Sequence, residues 1–167
     1  MVRSVWYVIV NVYEWEISWC LCGTGVSATD AFASRPRVSM TASIAVATSR
    51  IDTTAATRQS GEPFVISSNS GETASVWVGV SSTVSGVLRV SVVDANFDSV
   101  VAVYTDSANT LASLTKVAAD DDCASRGTAS TSSCVKVYVS AGAVYAIQVS
   151  GFGTSKGLAT LSLSRST

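Results

Sequence analysis

From Gly61 to Leu163 the chain is a succession of short apolar runs with a period of two, separated by clusters of Gly, Ser, Asn and Asp. That period places alternate side chains on opposite faces of an extended strand. Val76, Val78 and Val80 alternate with Ser75, Trp77 and Gly79, and Leu88, Val90 and Val92 face oppositely to Arg89 and Ser91. Residues 99–105 set Val100, Ala102 and Tyr104 against Val101 and Val103, apolar on both sides as in a central strand. Val135, Val137 and Val139 follow, then Tyr145, Ile147 and Val149, then Ala159, Leu161 and Leu163. Residues 111–119 also read as a strand, although there alone a helix is arguable. The pattern predicts an all-β fold, an antiparallel β-sandwich of about eight strands, jelly-roll-like. Because Trp77 lies opposite the Val76 row, one face of that strand is expected to be the less buried.

Upstream the pattern changes. Residues 34–60 read as a Ser/Thr/Ala-rich connector with one weak strand around Ile44, Val46 and Ile51, which puts the firm start of the sandwich at 61–167. Residues 1–33 hold Trp6, Trp15 and Trp19, three of the 4 tryptophans. Arg3 and the apolar run 5–12 suit a secretory signal, with small residues at 26–28 or 31–33 before a cut, but Glu14 and Glu16 follow the run too closely. The same glutamates and Asn11 interrupt any stretch of the about 20 apolar residues that a spanning helix needs, so no membrane span is expected. A β-strand arm is the third reading, with Trp6, Val8, Val10 and Val12 on one face, able to join a neighbouring copy by strand addition. A misassigned start of translation would also account for so different a segment.

Charge and chemistry narrow the classes of function. Charged residues make up 14% of the 167 and the formal net charge is −1, which leaves no basic face for nucleic acid or anionic lipid. There is no histidine, which removes Ser-His-Asp and Cys-His catalysis and imidazole-bound zinc. Cys20 and Cys22 sit too close for an easy mutual bridge. Cys123 and Cys134 flank a polar loop; joined, they would contribute roughly 3 kcal/mol by the chain-entropy argument and mark an oxidising compartment. The alternative is two free thiols.

Several short motifs recur in a recognisable order: Gly61-Glu62-Pro63, Ser75-Val76-Trp77, the run Phe97-Asp98-Ser99-Val100-Val101-Ala102-Val103-Tyr104-Thr105, Leu114 onward into Asp120-Asp121-Asp122, and Ala141-Gly142 before Tyr145-Ala146-Ile147-Gln148-Val149-Ser150-Gly151-Phe152. Over about 100 residues this resembles the bacterial pre-peptidase C-terminal (PPC-like) domain. Val78 stands where that family has an aromatic, and Ser150 where it has an aspartate. The resemblance implies a jelly-roll-like, non-catalytic appendage of secreted proteins, serving secretion, attachment or adhesion. Relatives in collagenases bind matrix protein and calcium.

The acids gather in loops. Asp94 and Asp98 in one, Asp121 and Asp122 in another, and Glu62 upstream could supply oxygens to calcium, which takes six to eight. Asp94-x-Asn96-x-Asp98 begins like a calcium loop but has Ser99 and Thr105 where an EF-hand needs Gly and Glu. The competing reading is that these residues make turns. A catalytic pair would require two of them in one cleft with one pKa raised. Trp77, Tyr104, Tyr138, Tyr145 and Phe152 are candidates for a stacking platform, though core packing suits most of them. No cofactor is required, and calcium is the only ion these acids suggest. The expected function is a non-enzymatic extracellular or cell-surface module for binding or adhesion, its partner a matrix protein or polysaccharide. The alternative is a structural subunit of a surface assembly or filament, its partner another copy joined through the N-terminal strand.

Overall fold

A computed structural model describes residues 26–67, 71–123 and 131–166. Among them the chain forms two five-stranded sheets packed face to face. The first sheet has the order β1 (Val26–Ser27), β3 (Val46–Asp52), β10 (Leu158–Ser166), β5 (Gly86–Val93) and β8 (Cys134–Val139). The second runs β2 (Arg37–Met40), β4 (Ser75–Ser82), β9 (Val144–Gly151), β6 (Ser99–Asp106) and β7 (Leu114–Asp120). Every connection except β6–β7 crosses from one sheet to the other. The all-β sandwich expected from the alternation is therefore the fold.

Five details differ from the expectation. The described strands number ten, and the sheets are mixed: β1 lies parallel to β3, and β2 parallel to β4. Parallel neighbours need a crossover connection. Each sheet's early strand supplies it, since the chain visits the opposite sheet before returning. Residues 34–60 are no connector. They hold β2 and β3, whose inward residues Val38, Met40, Ala47 and Ile51 belong to the main core. Small residues at 47 and 49 hid that alternation. Residues 111–119 divide, with a 3-10 turn at Leu111–Ser113 and then β7.

The fifth difference concerns Trp77. Between the sheets lie Val76, Val78, Val80, Val101, Val103, Ile147 and Val149, facing Leu88, Val90, Val92, Val137, Leu161 and Leu163. On the other side of the second sheet a smaller cluster gathers Phe32, Val65, Trp77, Val100, Ala102, Tyr104 and Ala146. Residues 53–67 and the turn at Phe32–Ser34 supply the cover for it. Neither face of β4 is the less exposed one, and Trp77 is 0% exposed. A strand buried on both sides loses the polar half of its alternation. No helix among the described residues is long and apolar enough to cross a membrane.

Candidate functional site

The acidic loops meet at one end of the sandwich, in part as the sequence suggested. Asp98 precedes β6, and Asp121 and Asp122 follow β7, so the β6–β7 pairing brings them together. Burial raises the pKa of Asp98, with repulsion from Asp122 adding to it. Burial also raises that of Asp121, which faces Asp98, Asp122, Asp120 and Glu72. The Asp98 backbone N–H donates to Ser155 Oγ at 3.1 Å, while its carbonyl accepts from Phe152 at 2.9 Å. That turn requires glycine at 151, where a Cβ would strike the Ser155 carbonyl oxygen. Asp120 Oδ2 accepts the Cys134 N–H at 2.9 Å.

Asp94 and Glu62 stand outside this group. Asp94 is exposed, with φ 54, a left-handed turn position that aspartate tolerates. Asn96 Oδ1 accepts the Leu158 N–H at 2.8 Å and so ties this loop to β10. Glu62 belongs to the covering segment 53–67 and points inward, where its carboxylate accepts from Ser75 Oγ at 2.6 Å and Trp77 Nε1 at 2.9 Å. Burial holds its pKa above the ordinary range, and those two hydrogen bonds pull against the rise. Beside it Tyr104 donates its hydroxyl proton to Gln148 Oε1 at 2.8 Å, and Gln148 Nε2 donates to the Pro63 carbonyl at 3.2 Å. Burial, then the negative charges of Glu72 and Glu62, raise the Tyr104 pKa. The five acids expected to share one calcium site therefore split into a cluster of three and two residues used elsewhere. Among the described residues no group of three or more His, Cys, Asp or Glu is arranged to hold a metal.

Cys123 and Cys134 are joined, sulfur to sulfur at 2.00 Å. The bridge links the segment after β7, at an edge of the second sheet, to the first residue of β8, at an edge of the first. The aromatic residues separate into two kinds. Trp77, Tyr104 and Tyr145 are buried, whereas Tyr138 is 65% and Phe152 43% exposed. They form no common platform. Trp6, Val8, Val10 and Val12 lie outside the described residues. No protein-family model matches the chain, and no curated protein matches it. Function must be read from the surface.

Sequence reasoning missed the asymmetry of that surface. The second sheet's outer face is closed by residues 53–67, which Lys116 fastens by donating from Nζ to the carbonyls of Phe64 at 2.8 Å and Val65 at 2.5 Å. Nothing comparable covers the first sheet among the described residues. Its outward positions include Thr48 and Arg50 on β3, Thr160, Ser162 and Ser164 on β10, Arg89 and Ser91 on β5, and Lys136 and Tyr138 on β8, none of them buried. Alternation identified each residue as outward-facing, but only the strand order, which the sequence does not carry, places them side by side.

Proposed function

We propose that this chain is a non-catalytic extracellular module that binds or adheres to a polysaccharide or matrix protein through the uncovered outer face of its first sheet. The observation that carries the reading is the difference between the two faces. One is sealed by a segment anchored through Glu62, Glu72 and Lys116, and the other presents a regular array of hydroxyls and cations with one aromatic ring and the exposed Val46 and Val87. The Cys123–Cys134 bridge favours an oxidising compartment, hence secretion or display on a cell surface. Lack of histidine weighs against most hydrolytic chemistry. Most of the motifs that resemble the PPC-like domain fall on β4, β6, β7 and β9 of the second sheet, so the resemblance supports the binding-module role and not the choice of face.

The test is retention of disulfide-intact protein on immobilised collagen and on a panel of insoluble and soluble polysaccharides, with turnover of each ligand followed in parallel. Retention without turnover is expected. Turnover, or failure to bind every ligand, overturns the reading.

A further inference from the structure

Strand register on the first sheet brings two cations into direct opposition. Arg89 of β5 pairs with Lys136 of β8, which sets their Cβ atoms about 4.5–5.5 Å apart on the same face. Like charges directly opposite across a sheet destabilise it. The other ion-pairing groups on this face, Arg50 and Asp52, lie on the far strand β3 and pair with each other at 3.7 Å. Among the described residues neither Arg89 nor Lys136 has an acidic partner. Where local rules are broken without internal compensation, a functional demand is the usual cause.

The surroundings indicate what the demand is. Arg89 Nε donates to Ser91 Oγ at 3.2 Å, which lays the guanidinium along its own strand. In the same cross-strand row stands Ser164, and in the next Thr48, Ser162 and Ser91. Two residues from Lys136, Tyr138 projects its ring into solvent opposite Val87. Hydroxyl rows satisfy the hydroxyls of a sugar chain, an exposed aromatic ring covers the apolar face of a pyranose, and paired cations hold a carboxylate through charge-assisted hydrogen bonds. The site has only two uncompensated cations, on a chain of net charge −1 with an acidic cluster at one end. That balance suits a polymer with one carboxylate on an otherwise neutral sugar and opposes a densely sulfated one.

We infer that the outer face of the first sheet binds a carboxylated polysaccharide, with Arg89 and Lys136 on a uronate carboxylate and Tyr138 against a sugar ring. The inference rests on the binding-module reading and names its ligand class. Affinity electrophoresis through gels containing polygalacturonate tests it, with heparin, a neutral glucan and immobilised collagen as comparisons. Wild-type protein should be retarded by polygalacturonate, and the Arg89→Gln/Lys136→Gln protein should lose about tenfold or more of that affinity. Tyr138→Ala should lose several-fold, Val117→Ser on the opposite sheet nothing, and circular dichroism should show all variants folded. Binding by the double variant equal to wild type overturns the inference. So does retardation by heparin without retardation by polygalacturonate. Unchanged binding with new self-association would mean that the cations only guard the free edge of β8, and the inference falls. Retention by collagen or neutral glucan alone removes this ligand assignment and leaves the binding-module reading standing, whereas loss of all binding removes both.

Discussion

The indole Nε1–H of Trp77 donates to Glu62 Oε1 at 2.9 Å, joining an interior strand to a segment 15 residues upstream. Ser75 Oγ, two residues before Trp77 on β4 and on the same face, donates to the other carboxylate oxygen at 2.6 Å. The carboxylate thus completes two donors that the sheet itself leaves without acceptors. Replacing Glu62 by Ala should cost about 1–3 kcal/mol, because both donors stay buried and lose their partner. Glu62→Gln keeps one acceptor and should cost less. Urea unfolding of both variants checks the order, and a larger loss for Gln than for Ala would contradict it.

A second buried pair fixes the N-terminal side of the domain. Arg35 precedes β2 and Asp106 ends β6; their side chains are 1% and 0% exposed and form an ion pair. Arg35 also donates from Nη1 to the Phe32 carbonyl at 2.8 Å and from Nη2 to Asn109 Oδ1 at 2.8 Å, and it lies over the Phe32 ring. Burial lowers its pKa, while Asp106 opposes the shift. Removing one partner strands a buried charge, so Arg35→Ala should cost about 3–5 kcal/mol, and Arg35→Met with Asp106→Leu clearly less than the sum of the two single changes. Thermal or urea denaturation of the double-mutant cycle measures the difference.

Much of this fold was legible and the closing elements were not, for a physical reason. Alternation reports which side chains share a face, so the rows of β4, β5, β8, β9 and β10 could be read one strand at a time. It does not report which strand lies next to which. The Arg35–Asp106 pair spans 71 residues and the Glu62–Trp77 contact joins a loop to a strand; neither has a local signature. Small inward residues, Ala47 and Ser49, disguised β3. The acidic loops suggested one site at an end of the sandwich, yet Glu62 is bound to Trp77 and Asp94 sits in a turn.

The acidic end should give the protein a measurable pH response. The folded-state pKa values of Asp98 and Asp121 are both raised, burial being the first cause in each. A carboxyl with a raised folded-state pKa binds its proton more tightly folded than unfolded. Its unfavourable effect is absent below the ordinary carboxylate range, about pH 4, and grows as pH rises through the folded value. Asp121→Asn should therefore match the wild type near pH 4 and exceed it in melting temperature toward pH 7. Asp52, whose pKa is lowered chiefly by the Thr54 hydroxyl, acts in the opposite sense but equally in both proteins. A difference that shrinks with rising pH would show that folding does not raise the Asp121 pKa.

The Cys123–Cys134 bridge joins residues 11 apart in sequence. Closing so short a loop in the unfolded chain corresponds to about 3 kcal/mol. The Cys123→Ser/Cys134→Ser protein should be less stable by about that amount, from 2 to 4 kcal/mol, while retaining the β-sheet circular dichroism of the wild type. Intact mass of the natural product should fall short of the fully reduced mass by two hydrogens at this pair. Free thiols at both positions in secreted material would contradict the bridge.

Processing near the N-terminus has a structural limit that can be located. Val26 and Ser27 pair with Ser49 and Arg50, and Thr29 exchanges backbone hydrogen bonds with Trp77 at 2.8 and 3.2 Å. Phe32 is 3% exposed and meets Trp77 edge to face, with ring centroids 5.0 Å apart. A cut after residue 33 would delete β1 and open the cover over Trp77, whereas a cut at or before residue 25 would leave every described contact in place. Protein starting at Val26 keeps β1, the Thr29–Trp77 hydrogen bonds and Phe32, and so is the reference for the shorter forms. Protein starting at Ser34 should lose about 3–5 kcal/mol, the amount expected for removing a buried phenylalanine, and the Phe32→Ala variant should reproduce most of that loss. A cut between residues 28 and 29 lies between these limits, removing β1 but keeping Phe32, so its melting temperature should fall between the two. Equal stability for the proteins starting at Val26 and Ser34 would show that Phe32 contributes nothing to the smaller core and β1 nothing to the first sheet.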